Sequence, residues 1–398
     1  MLEFIDQELE ALKQTGLYRS FKTVTNSTGR LIEIDGKKLL NFCSNNYLGL
    51  ANHPLVIAAA NTATSEFGFG AGASRLISGN TLLHEKLEKK LAAFKGREEA
   101  LVFSTGYLAN LGVISALTGE NDTIIIDRLN HASIIDACRL SKARLQVYKH
   151  RDLASLEAVL KRSAKCQKRL IVTDSIFSMD GDLAPLPEIL SLAKKYDAVT
   201  MIDEAHATGT IGPRGQGLEE YYNLKGQVDI IMGTLSKALG SLGGFIAGEA
   251  KLIDHLRNKA RSFIYTTALP PSACAAALAA LEVIEAEPER KKRLQQNICL
   301  ANTLLGNLRL NVAVSKEPRR SASGSLEQQS PIFPIIIGDN ERTMRVSQQL
   351  YERGFYVSAI RPPTVPDGEA RLRITLTSEH TKEDLECLAS SLQELIPA

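Results

Sequence analysis

Val199-Thr200-Met201-Ile202-Asp203-Glu204-Ala205-His206 and Val228-Asp229-Ile230-Ile231-Met232-Gly233-Thr234-Leu235-Ser236-Lys237 are short apolar runs that end in polar chemistry. Each run has the length and composition of a buried strand. The first ends in an acid and an imidazole, the second in a lysine. Small residues follow the lysine at once, Ala238-Leu239-Gly240-Ser241-Leu242-Gly243-Gly244. A lysine at a strand end, among residues too small to crowd it, can be desolvated and lose its proton. A neutral lysine amine is a nucleophile toward carbonyls.

Working outward, helix and strand patterns alternate. Helical periodicity covers His53–Phe67, Leu82–Phe94, Tyr107–Leu117, Ala132–Ser141, Leu153–Arg162 and Leu186–Tyr196. Short strands read at Ala100–Phe103, Thr123–Ile126, Leu145–Tyr148, Leu170–Thr173, Val199–Ile202, Asp229–Met232 and Phe245–Ala247. The fold class is therefore α/β, with a mostly parallel central sheet flanked by helices. Ligands of such sheets bind outside the carboxyl ends of the strands, and unusual polar residues collect there. The N-terminal segment, 1–50, carries a helix over Met1–Lys22 and short strands about the Asp35-Gly36 turn. Residues 51–285 make the large α/β domain. Residues 286–398 make a smaller α/β domain, which the N-terminal segment is a candidate to join. It opens within a long helical pattern from Pro270 to about Leu308 and ends in strands at Ile332–Ile337, Phe355–Ala359 and Leu372–Leu376. Lys316–Pro331, polar and Ser-rich, reads as an exposed loop.

The chain has 398 residues, 44% hydrophobic and 23% charged, with a formal net charge of +2. That balance gives no global field for nucleic acid or membrane. Arg290–Arg293 lies in a helical pattern as a solvated face. The cysteines, Cys43, Cys138, Cys166, Cys274, Cys299 and Cys387, are scattered without CxxC spacing. Neither a disulfide framework nor a metal site is expected. Met1–Gln14 is amphipathic and acidic, unlike a secretory signal, and no apolar run approaches a membrane span. The cytoplasm is the default compartment.

Ser104-Thr105-Gly106-Tyr107 opens a helix whose free N–H groups and dipole suit a phosphate. His131, in Asn130-His131-Ala132-Ser133, can stack on a flat ring or move protons near neutral pH. Ser178 sits in the turn Ile176-Phe177-Ser178-Met179-Asp180-Gly181. Gly68-Phe69-Gly70-Ala71-Gly72 is only loosely a dinucleotide fingerprint; it reads as backbone passing close to a neighbour or a ligand. Arg75 carries a charge with no assigned role. Asp203-Glu204-Ala205-His206 also spells a helicase signature, but that reading needs a phosphate loop, which the chain lacks. An acid at one strand end, a lysine at another and a helix N-terminus match the three polar handles of pyridoxal 5'-phosphate (PLP): ring nitrogen, aldehyde and phosphate.

These residues, with Ser44-Asn45-Asn46-Tyr47-Leu48-Gly49-Leu50, Ser178-Met179-Asp180-Gly181-Asp182 and Asp203–Gly209, resemble the α-oxoamine synthases, PLP-dependent transferases of fold type I. The resemblance runs from about Leu17 to Leu395. It implies that Lys237 binds the cofactor aldehyde and acts as base, that His131 stacks on the ring and serves catalysis, and that Asp203 pairs with the ring nitrogen. It implies that His206 bonds the ring oxygen, that Gly106, Tyr107 and Thr234 bind the phosphate, and that Ser178 also touches the cofactor. Arg373, with Asn45, would bind the amino-acid carboxylate, and Arg19 and Thr364 would line the acyl-donor side. Thr266 and Thr267 would reach the phosphate of a second subunit, because the family's sites lie at a homodimer interface. The stretch Ala359-Ile360-Arg361-Pro362-Pro363-Thr364-Val365-Pro366, with Arg371-Leu372-Arg373, favours the branch that condenses L-alanine with a pimeloyl thioester of CoA or carrier protein. The alternative is a glycine-using member such as a glycine C-acetyltransferase. A non-catalytic partner subunit would have lost the lysine, and Lys237 is present.

Overall fold

The computed structural model describes residues 2–26, 28–306 and 330–397. Of the expected exposed loop, Lys316–Pro331, positions 316–329 lie outside them, while Ser330 and Pro331 are buried, with Ser330 Oγ donating to Gly181 O at 2.6 Å. In chain order, α1 (Glu3–Gln14) precedes the hairpin β1 (Leu31–Ile34) and β2 (Lys37–Asn41), then α2 (Pro54–Phe67) and α3 (Leu82–Lys95). An alternation follows: β3 (Glu99–Phe103), α4 (Gly106–Leu117), β4 (Thr123–Asp127), α5 (Ala132–Ser141), β5 (Arg144–Tyr148), α6 (Leu153–Arg162), β6 (Arg169–Asp174), α7 (Leu186–Lys195) and β7 (Val199–Asp203). After α8 (Leu218–Tyr221) come β8 (Ile230–Thr234), β9 (Gly244–Gly248), α9 (Ala250–Lys259), α10 (Arg261–Ile264), α11 (Pro271–Ala286) and α12 (Pro288–Gly306). The C-terminal part holds β10 (Ile332–Gly338), α13 (Asn340–Glu352), β11 (Phe355–Tyr356), β12 (Ser358–Ile360), β13 (Ala370–Thr375) and α14 (Lys382–Leu395).

The chain forms two compact units. The larger comprises 46–178 and 182–292, the smaller 1–45, 179–181 and 293–398. The larger unit holds a seven-stranded sheet of order β3-β9-β8-β7-β6-β4-β5. Every pairing from β8 to β5 is parallel, and β9 runs antiparallel to both its neighbours. The apolar runs are buried because helices cover them: Leu101, Ile124, Ile126, Val172, Met201 and Ile246 share one core with Val113 and Ile134 of α4 and α5. At about 25 cal/mol per Å² of apolar surface, such burial is the main force holding strands to helices.

The smaller unit has two three-stranded sheets, β1-β2-β11 and β10-β13-β12. The run Phe355–Ala359 is thus two strands in two sheets. β11 lies parallel to β2, while β12 is antiparallel to β13. The hairpin turn occurs as read, with Asp35 and Gly36 both at positive φ. The first helix is shorter than its pattern and stops at Gln14, before Gly16 at φ 65°. The long pattern after Pro270 is two helices, because Pro288 has no N–H to continue α11. Gly68, Gly70 and Gly72 have no heavy atom within 4 Å of an added Cβ, so no close neighbour among the described residues explains them.

Candidate active site

The sheet order sets β6, β7 and β8 side by side, so their carboxyl ends share one edge. Asp174 and Asp203 are Cα partners there. Both are buried, at 4% exposure. Burial and the neighbouring Asp203 charge push the Asp174 carboxyl well above its usual range. That shift favours the neutral form of Asp174. Asp203 is oriented by two donors: Asn110 Nδ2 to Oδ2 at 2.8 Å, and the Ala205 N–H to Oδ1 at 2.9 Å. Each hydrogen bond to a charged group is worth about 1.5–3 kcal/mol. Asn110 also donates to Ser133 Oγ at 2.9 Å, while its own Oδ1 is buried with no partner among the described residues.

The turn after β7 carries His206, and the loop after β8 carries Lys237. Lys237 Nζ stands 2.9 Å from His206 Nε2, and Tyr47 Oη stands 2.5 Å from His206 Nδ1. The lysine loop is closed by Gly240 N–H to Lys237 O and Ser241 N–H to Leu235 O, both 2.9 Å. Gly240 is at φ 62°, and a Cβ there would come within 2.3 Å of the Ala51 nitrogen. Only glycine fits both the backbone conformation and the contact. Thr234 Oγ1 donates to Gly243 O at 2.9 Å and accepts from Ser236 N–H at 3.2 Å. Its first role is thus to hold the lysine loop, and the residue also lines the cavity.

The third handle is the N-terminus of α4. Thr105 caps it, accepting from Leu108 N–H at 3.1 Å. The N–H groups of Gly106 and Tyr107 precede that bond, where a helix leaves its donors directed outward. Gly244 lies against this turn: a Cβ there would fall 2.5 Å from Gly106 Cα. Tyr107 is held by its hydroxyl, which donates to Asp136 Oδ2 at 2.5 Å. That bond raises the phenol's pKa, so it stays protonated.

His131 caps α5. Its backbone N–H donates to Asp174 Oδ2 at 2.8 Å, and Nδ1 accepts from Ser133 N–H at 3.3 Å. The residue is exposed overall. Desolvation of the ring lowers its pKa, opposed by the Asp203 charge and reinforced by the Lys237 charge. A neutral ring with its proton on Nε2 results, a flat surface suited to stacking.

These groups line one cavity of about 170 Å³, with Gly106, Tyr107, His131, Asp203, His206, Thr234 and Lys237 on its wall. A hollow of about 470 Å³ elsewhere is lined by Arg75, Glu88 and Lys89. Its lysine is exposed, whereas Lys237 is half-buried against an imidazole, so size does not mark the site. Arg75 is accounted for there: it makes a bidentate pair with Glu88, 2.9 Å on each arm, and bonds Asn80 Oδ1 at 2.7 Å.

The remaining expected residues lie as follows. Ser178 is half-buried in the turn after β6. Thr267 O accepts from Ser104 Oγ at 3.1 Å. In the smaller unit Arg373 is 6% exposed, donating to Thr375 Oγ1 at 2.9 Å and to Asn45 Oδ1 at 3.2 Å. Arg19 and Thr364 are exposed in that unit. Sequence reading missed Asn110, Ser133, Asp174 and the role of Tyr47. Asn110, four residues after Gly106, shares its helix face, and that spacing was the one available signal.

The residues fit PLP: a carboxylate for the ring nitrogen, an amine beside an imidazole, and helix donors for phosphate around one cavity. The sequence model described as aminotransferase class I and II matches residues 37–392, and the chain belongs to that family. It is a fold type I PLP-dependent transferase. Within that class, an 8-amino-7-oxononanoate synthase of Citrifermentans bemidjiense is 48% identical, over 98% of this chain and 97% of its own length. The 8-amino-7-oxononanoate synthase 2 of Bacillus subtilis is 45% identical, over 98% and 97%. Among solved structures, a lysine-to-alanine variant of serine palmitoyltransferase from S. paucimobilis with a bound PLP–myriocin aldimine superposes with TM-score 0.91 at 32% identity, covering 99% of this chain and 97% of that one. An 8-amino-7-oxononanoate synthase from Francisella tularensis superposes with TM-score 0.76 at 30% identity, covering 89% and 97%. No described helix is long and apolar enough to cross a membrane.

Proposed function

We propose that this chain condenses L-alanine with a pimeloyl thioester, on CoA or a carrier protein, releasing 8-amino-7-oxononanoate, CO2 and the free thiol. The observation that carries the chemistry is Lys237 Nζ 2.9 Å from His206 Nε2, beside the carboxylate of Asp203 at the same sheet edge. The product is the one in the names of the relatives at 44–48% identity over nearly their whole length.

Bound PLP supplies the electron sink that stabilises negative charge at the amino-acid α-carbon. The protein supplies the rest. Lys237 would hold the cofactor aldehyde, and its Nζ would serve as the base for the amino-acid α-proton. Asp203, fixed by Asn110 and the Ala205 N–H, keeps the ring nitrogen protonated. The neutral His131 ring forms one wall of the cavity and restrains the reacting plane. Gly106 and Tyr107 N–H groups, with Thr234, would hold the phosphate. We assign the amino-acid carboxylate to Arg373 with Asn45, the acyl donor to Arg19 and Thr364, and a further cofactor contact to Ser178. A homodimer in the cytoplasm is the assembly we propose; exposed Phe69, Ile77 and Tyr265 are apolar surface that a second copy can cover.

The serine palmitoyltransferase likeness favours one second reading, a serine-using enzyme. An absorption spectrum of the PLP-loaded protein titrated with L-alanine, glycine and L-serine separates the readings, followed by product analysis with pimeloyl-CoA. Spectral change with alanine and release of CO2 are expected. Strict preference for glycine or serine overturns the substrate, and a colourless protein after reconstitution overturns the site.

A further inference from the structure

Tyr47 is fully buried in the larger unit, and its hydroxyl meets the imidazole of His206 on the side away from Lys237. His206 therefore bridges a phenol and an amine through its two nitrogens. A lysine ammonium can only donate, so opposite it Nε2 must be the lone-pair nitrogen. The imidazole proton then sits on Nδ1, and Tyr47 Oη accepts it. Lys237 engaged with the cofactor aldehyde offers no ammonium. The cofactor's ring oxygen is an anion and only accepts, so His206 must then donate from Nε2 and accept at Nδ1. A carboxylate at position 47 could serve only the first arrangement and a lysine only the second. A phenol serves both, because its oxygen donates and accepts.

We infer that Tyr47 is a positioning residue that allows His206 to exchange tautomers between the free-lysine and the cofactor-bound states. The inference rests on the proposed contact between His206 and the cofactor. The protons balance: the imidazole carries one proton in both states, and the single proton that Lys237 gives up on becoming a nucleophilic amine is the net release to solvent. A hydrogen bond from Tyr47 into Nδ1 also makes Nε2–H a stronger donor, which stabilises the anionic ring oxygen.

The test is side-chain 15N NMR of protein labelled at histidine, without and with PLP, with His206 assigned through His206→Gln. Wild-type protein is expected to carry the His206 proton on Nδ1 without PLP and on Nε2 with it. Tyr47→Phe keeps the ring and removes the hydroxyl. It should raise the pH midpoint of the visible band by about half a unit to one unit, the size of one neutral hydrogen bond. The wild-type pair of spectra decides the matter even if the variant fails to fold. No visible band on adding PLP overturns the reading of the site itself. A band with the His206 proton on the same nitrogen in both states overturns the tautomer exchange alone, and so does a Tyr47→Phe midpoint equal to wild type.

Discussion

Lys95 and Glu204 form an ion pair with both side chains at 0% exposure, one residue along the chain from Asp203. The ammonium is fully engaged: Glu204 Oε2 at 2.5 Å, Thr208 Oγ1 at 2.9 Å and Gln216 O at 2.6 Å. Glu204 Oε1 accepts from Leu218 N–H at 2.7 Å. Lys95→Met fills similar volume but strands a buried carboxylate, at a cost of about 3–5 kcal/mol. Glu204→Gln strands the ammonium at a similar cost. The double variant buries neither charge and should be more stable than either single one, a coupling of about 3 kcal/mol or more. Because Glu204 pins the turn that aims Asp203 and His206, Lys95→Met should also weaken PLP binding, and the double variant should recover part of it. The chain has no Trp, so urea unfolding is best followed by far-UV circular dichroism, alongside PLP titration by absorbance. Additive single-variant costs, or a Lys95→Met cost below about 1 kcal/mol, would refute the reasoning.

Gly244→Ala places a Cβ 2.5 Å from Gly106 Cα and 2.7 Å from Thr105 O, backbone atoms that cannot turn aside. It should cost about 1–3 kcal/mol and raise the PLP dissociation constant at least about tenfold, since the phosphate-binding turn must move; unchanged affinity by titration counts against that placement of the phosphate. Asn110→Ala removes the donor to Asp203 Oδ2 and should weaken the hold on PLP by about 1.5–3 kcal/mol, read as cofactor loss on dialysis. His150 is bonded to Asp127 and Asp182, each at 2.9 Å. Burial alone would lower its pKa, but those bonds carry it to about 9. Folded-state protonation thus stabilises by about 3 kcal/mol below pH about 6.5, and the gain fades as pH rises through about 9. Unfolding midpoints from pH 6 to 10 should fall more in wild type than in His150→Gln, and parallel curves would exclude the effect.

Local pattern alone determined much of this protein. Apolar runs such as Thr123–Ile126 and Val199–Ile202 became parallel strands because a strand covered on both faces must be apolar on both. Polar residues at their ends collected at one edge because parallel strands end on the same side, which brought Asp203, His206 and Lys237 to one cavity. Pairings between distant residues were decided only by tertiary structure. Tyr47 meets His206 across 159 residues, Lys95 meets Glu204 across 109, and Asn110 meets Asp203 across 93. Such contacts depend on strand order, and here β9 separates β3 from β8, and β6 lies between β4 and β7. Periodicity reports which face of an element is buried; it carries no information about which element covers that face, and so none about which partner a buried polar group finds.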